Sequence, residues 1–209
     1  MNKVILFNFN GTIVNTKLLA LDIYNRIAEK DGYKKMDEKE IPYLSTLSIR
    51  DRCKILNVPI YKMPVVGLKI KQRYQKHIPS LNSVPGINEL VHELKQRGFR
   101  LGFLTSNSRD ATTQFLRKNS IDVFDYQHFS FNPFSKTKDI SSFLKSNGLN
   151  ANEIIYIGDE VRDIKASKKN QVCSIGAGWG YDSVELLKKG EPDYIAEEPS
   201  DILTIVTKL

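Results

Sequence analysis

The chain has 209 residues, 41% of them hydrophobic and 26% charged, which suits one folded core with a modest insertion and excludes global disorder. Thirty-one Lys and Arg against 24 Asp and Glu leave a net charge of +7, which favours anionic partners; phosphate esters answer to it as well as nucleic acid does. The charge is read as spread along the chain and not gathered in one arm, so a nucleic-acid role ranks low. No apolar stretch approaches the ~18 residues of a membrane span, and the N-terminal MNKVILFNFN lacks the pattern of a signal peptide. Cys53 and Cys173 are far apart and form no zinc pattern, so a reduced, cytoplasmic setting is expected.

In chain order, Val4 to Phe7 is a short β-branched and aromatic run, the pattern of a buried strand. Asn15 to Lys30 has helical spacing through Leu18, Leu21, Ile23 and Ile27. Residues 33 to 80 hold short helical patterns, at Ser48 to Leu56 and Pro64 to His77, broken by prolines and without a convincing strand. Residues 15–80 are therefore expected to form a helical subdomain inserted into a core made of 1–14 and 81–209. An alternating rhythm follows. Pro85-Gly86 opens a helix through Gln96, Phe99 to Thr105 is a strand, and Arg109 to Lys118 is a helix with Ser106, Asn107 and Ser108 as capping candidates. Asp125 to Ser130 is a short strand, Thr137 to Asn147 a helix, Glu153 to Ile157 a strand and Asp163 to Lys169 a short helix. Val172 to Ile175 and Tyr194-Ile195 are the last strands. Such alternation implies a parallel, Rossmann-like α/β sheet covered by helices on both faces.

Ligands bind such a sheet at the carboxyl ends of its strands. Those ends carry Asn8-Phe9-Asn10-Gly11-Thr12, Thr105-Ser106-Asn107 and Gly158-Asp159-Glu160-Val161-Arg162-Asp163, with Ser135-Lys136-Thr137-Lys138 before a helix. Taken alone, Asn10-Gly11 between apolar runs would also suit a hairpin. Lys136 and Lys138 could be solvated, with Lys136 the better candidate for a phosphate role, and Asp159 could simply cap a helix. Asp163 could pair with a surface cation. Arg50 and Arg52 suit a solvated helix face better than a substrate contact. Trp179 reads as packing, and His77, His92 and His128 form no cluster.

Together, VILFNFNGTIV, LGFLTSNSRD, FSKTKDI and IYIGDEVRDIKAS resemble, in order and spacing, the four motifs of the haloacid dehalogenase-like (HAD) hydrolases. The later GAGWGYDSVELLKKGEPDYIAEEPSDIL resembles the phosphoglycolate-phosphatase-like branch, whose helical cap matches the insertion at 15–80. The resemblance implies a phosphatase of small phosphorylated metabolites. The residue at position 8 would be an aspartate that attacks phosphorus, and the residue at position 10 an aspartate that acts as general acid and base. Mg²⁺ would be held around positions 8 and 10 with Asp159 and Asp163. Thr105, Ser106, Asn107 and Lys136 would bind the phosphoryl oxygens.

Positions 8 and 10 are written here as Asn. An amide is a poor nucleophile and exchanges no proton near neutral pH. Removing both charges should weaken Mg²⁺ binding and abolish or strongly impair turnover, while phosphate binding through Lys136 and Thr105 persists. Three readings stand: a phosphatase by lineage, a silent relative that binds phosphate ligands or a protein partner, and a chain engineered to be inactive.

Overall fold

The computed structural model describes residues 3–130, 132 and 135–209. Phe134, which opens the FSKTKDI segment, and the first two residues of MNKVILFNFN lie outside them. The strands are β1 (Val4–Asn8), β2 (Arg100–Thr105), β3 (Tyr126–Phe129), β4 (Ile154–Gly158), β5 (Cys173–Ala177) and β6 (Tyr194–Ala196). They form one parallel sheet in the order β3-β2-β1-β4-β5-β6. Between β1 and α5 run α1 (Lys17–Asp31), α2 (Ile41–Ser45), α3 (Ile49–Ile55) and α4 (Met63–His77), and α5 itself spans Ile87–Gln96. Beyond them come α6 (Arg109–Lys118), α7 (Lys136–Asn147), α8 (Val161–Lys169), α9 (Val184–Lys188) and α10 (Pro199–Val206).

Every residue of β1 and β4 is buried. Central parallel strands are covered on both faces, and this is why VILF and IIYI are unbroken apolar runs. The chain winds outward from β1 through β2 to β3, then returns to lay β4 on the other side of β1. The crevice at the carboxyl ends of β1 and β4 is the topological switch point of the sheet, where such folds bind ligands.

The expected strands and helices are present with ends shifted by one or two residues. Asn10-Gly11 makes no hairpin, because both neighbours of β1 are parallel strands from far along the chain. Gly11 instead sits in a tight turn at φ 86°, and its N–H donates to the carbonyl of Val14. Three helices, α2, α9 and α10, escaped the sequence reading. The first two have five residues each, too few for a period. The third had a readable start, with Glu198 and Asp201 as a capping box and Pro199 at its first turn.

Among the described residues, no strand falls between 15 and 80. This helical region has its own small cluster, including Tyr24, Leu44, Cys53, Leu56 and Val66. Other faces of α1 and α4 send Ile23, Ile27 and Tyr74 into the main core. The excess charge is not evenly spread, contrary to expectation. Seven of the 31 basic residues and none of the 24 acidic ones fall between Arg52 and Asn88, so the rest of the chain is neutral. Cys53 and Cys173 are both free thiols. Among the described residues, no helix is long and apolar enough to cross a membrane.

Candidate active site

Asn8 closes β1, and Asp159 follows β4 directly, so two adjacent parallel strands bring the pair to one rim. Asn8 Nδ2 donates to Asp159 Oδ1 at 2.7 Å and to the backbone carbonyl of Asn10 at 2.9 Å. On its other side, Asn8 Oδ1 accepts from Lys136 Nζ at 2.7 Å. Lysine has donors only, so Lys136 dictates which way the amide faces. Lys136, at the start of α7, also pairs with Asp163 Oδ1 at 3.0 Å.

Asp159 is fully buried. Besides Asn8, its Oδ1 accepts from the Thr12 hydroxyl at 2.7 Å, and its Oδ2 accepts from the Tyr181 N–H at 3.0 Å. Burial, then the charges of Asp163 and Glu160, push its carboxyl up to about 7, against the pull of the Thr12 and Tyr181 hydrogen bonds. Gly11 and Gly180 close over it so tightly that a Cβ at either would overlap Asp159 atoms.

Asp163 is equally buried, and its Oδ2 accepts from the Glu160 N–H at 3.1 Å, closing a capping box at the start of α8. Its Oδ1 takes the Tyr156 hydroxyl at 3.3 Å as well as Lys136. It therefore serves as counterion and cap at once.

Asn10 pairs with Asn107 across the rim: Asn107 Nδ2 donates to Asn10 Oδ1 at 2.8 Å, and Asn10 Nδ2 returns a 3.4 Å bond. The Asn107 N–H donates to the Thr105 hydroxyl oxygen at 3.1 Å, leaving the hydroxyl hydrogen to offer. Ser106 is half-exposed in the turn from β2 to α6. Of the three capping candidates, Ser108 caps α6, accepting from the Ala111 N–H.

The donor set does not fit a hard divalent cation. Mg²⁺ takes oxygen ligands and needs carboxylate charge near it. Here Asp159 Oδ1 and the Asn10 carbonyl both face the Asn8 NH₂, and turning that amide would set Nδ2 against Lys136 Nζ. Asp163 is matched to Lys136. Among the described residues, no group of three or more His, Cys, Asp or Glu is placed to hold a metal ion.

Lys138 is exposed, and Arg50 lies on a solvated face. Arg52 does not: it forms an ion pair with Asp182 and donates to the carbonyls of Leu44 and Ser45. Asp182 Oδ2 accepts in turn from the Val161 N–H at 2.8 Å. Trp179 packs against the core, and its Nε1 donates to the Thr12 carbonyl at 3.0 Å. The sequence reading missed Thr12, Tyr181 and Asp182. Thr12 stood inside a quoted motif; Tyr181 and Asp182 lie in a loop with no periodic signal.

Residues 5–177 match the haloacid dehalogenase-like hydrolase family. The chain is 27% identical over 208 residues to the phosphoglycolate phosphatase of Synechococcus elongatus, covering 99% of this chain and 98% of that protein. It is 24% identical to the pyrophosphatase PpaX of Bacillus velezensis, covering 96% and 94%. A predicted phosphatase from Clostridium acetobutylicum shares the fold at a TM-score of 0.81 and 21% identity over the whole of both chains. A mutant of CbbY from Rhodobacter sphaeroides, solved with xylulose-(1,5)bisphosphate, does so at 0.67 and 19%, over 96% of each chain. The chain belongs to the haloacid dehalogenase-like hydrolase family.

Proposed function

We propose that this family member binds phosphate monoesters of small metabolites at the β1–β4 rim, and that Asn8 and Asn10 abolish or strongly impair their hydrolysis. The observation that carries this reading is the Asn8 amide, held between Lys136 and Asp159. Its nitrogen lone pair is delocalised, and both N–H bonds point at oxygens. Its oxygen is neutral and accepts from Lys136, so the anionic oxygen that would attack phosphorus is missing. Asn10 has no proton to give to a leaving group or to take from water. These residues support no cation-assisted step, and affinity for Mg²⁺ is reduced.

Binding needs neither aspartate. Lys136 supplies a point charge, Thr105 a hydroxyl donor, and Ser106 with the first turn of α6 a positive local field. The helices of residues 15–80 act as a cap. They are tied to the rim by the Arg52–Asp182 pair, by the Ser183 N–H on the Ser45 carbonyl at 3.0 Å, and by Tyr181, whose hydroxyl meets Tyr74 at 2.6 Å and Thr16 at 2.7 Å. The phosphorylated ligands named for the relatives, phosphoglycolate and xylulose bisphosphate, support the substrate class.

The test pairs turnover with binding. With a generic aryl phosphate and Mg²⁺, the chain should give no hydrolysis above an Asp159→Ala control, while calorimetry shows saturable binding of phosphate. Mg²⁺-dependent turnover absent from the control would overturn the loss of catalysis.

A further inference from the structure

Between α1 and α4, away from the rim, lies a cleft of about 220 Å³ lined by Ile27, Lys30, Asp31, Lys69, Gln72 and Arg73. Both helices present residues spaced i, i+3, i+4 to it, Ile27–Lys30–Asp31 from the last turns of α1 and Lys69–Gln72–Arg73 from the middle of α4. That spacing puts each trio on one helix face. The lining therefore holds three cations and one carboxylate. Asp31 is already engaged by Lys69 at 2.6 Å. The Lys69 hydrogen bond, with the charges of Lys69, Lys30 and Lys62, holds its carboxyl below the ordinary range, so the local field is positive.

Arg73 adds a second, independent observation. Its Nη1 is buried and has no hydrogen-bond partner. One donor of this half-exposed cation is thus withdrawn from water without an acceptor, and such groups mark places where an anion or water completes the structure. The guanidinium fork is the side chain best shaped for two-point contact with a phosphate or carboxylate. The stretch from Arg52 to Asn88, which contributes Lys69 and Arg73, has no acidic residue to compete for them.

We propose that this cleft is a second anion site, separate from the strand-end rim, for a small dianionic oxyanion of phosphate or dicarboxylate type. Its volume is below the ~300 Å³ at which pockets for drug-sized ligands begin, which selects a small metabolite over a nucleotide. Ile27 gives it an apolar wall. Arg73 and Lys30 hold the charge, and Gln72 offers an amide. The site shares no residue with the rim, but Tyr74, next to Arg73, carries the hydroxyl that meets Tyr181. An occupant would thus sit on the helix that supports Tyr181 beside Asp159.

The test silences the rim first. In a Lys136→Gln chain, inorganic phosphate and malonate are titrated separately by calorimetry at constant ionic strength. Saturable binding of at least one should persist there, weaken at least tenfold when Arg73→Gln is added, and weaken less with Arg73→Lys. Malonate alone would assign the dicarboxylate type, and phosphate alone the phosphate type. Amide resonances of the Lys136→Gln chain, followed during the same titration, locate the site even where an Arg73 variant fails to fold. Shifts confined to Lys30, Gln72, Arg73 and their neighbours support the site. Absence of saturable binding in the Lys136→Gln chain, binding undiminished by Arg73→Gln in a folded protein, or shifts lying elsewhere would each overturn it. None of these outcomes depends on whether the rim turns over substrate.

Discussion

The ends of β1 and β4 lie side by side in the same sheet, pointing the same way, yet they are chemically opposite. The β4 end delivers two buried carboxylates, Asp159 and Asp163. The β1 end delivers two amides, Asn8 and Asn10. Each carboxylate has a local answer: Lys136 neutralises Asp163, while the Asn8 NH₂, the Thr12 hydroxyl and the Tyr181 N–H surround Asp159. Hydrogen bonds within the rim meet both carboxylates, although burial and the neighbouring charges still raise the Asp159 carboxyl to about 7.

The largest effect should come from making the two ends alike. Asn8→Asp with Asn10→Asp restores a nucleophile and a proton-transfer group, and should raise Mg²⁺-dependent hydrolysis of an aryl phosphate by about 10³-fold or more. The same variant should be stabilised by Mg²⁺ in thermal melts, because the metal then binds the folded state. The chain with both Asn should show little shift. Failure of the double variant across a broad phosphate panel would break the comparison.

Removing what neutralises the β4 end comes next. Lys136→Ala leaves Asp163 buried without its cation, and should cost about 3 kcal/mol in urea unfolding. Gly180→Ala drives a Cβ into Asp159 and should cost about 2 kcal/mol. Gly148→Ala is its control, since no atom stands near and only the left-handed backbone (φ 61°) resists; about 1 kcal/mol is expected. Smallest of all, Lys138→Ala, exposed two residues from Lys136, should change both stability and phosphate affinity by less than about 0.5 kcal/mol. An effect of Lys138→Ala as large as that of Lys136→Ala would reassign the lysine.

Much of this was legible in the chain. The apolar runs of β1 and β4, the glycine after α7 and the alternation from residue 85 onward each have a local cause, so they can be read locally. Asn8, Asn10, Thr105 and Asp159 were legible as polar groups at strand ends, and Lys136 as a lysine opening a helix. Arg52 was not. Its helical position looks solvated, and its partner Asp182 is 130 residues away. The direction of the Asn8 amide was equally hidden, because it depends on Lys136 from a different helix.

The sequence by itself determined the α/β alternation, which polar residues stand at the ends of β1, β2 and β4, and the absence of carboxylates at positions 8 and 10. These follow from side-chain period and chemical identity, which are properties of each residue and its near neighbours. Only the tertiary structure decided that the Asn8 NH₂ faces Asp159 and Asn10, that Asp163 answers Lys136, and that Lys30 and Arg73 share a cleft. Those are long-range pairings, set by how helices pack on the sheet, and hydrogen-bond direction is defined only once the partners have met.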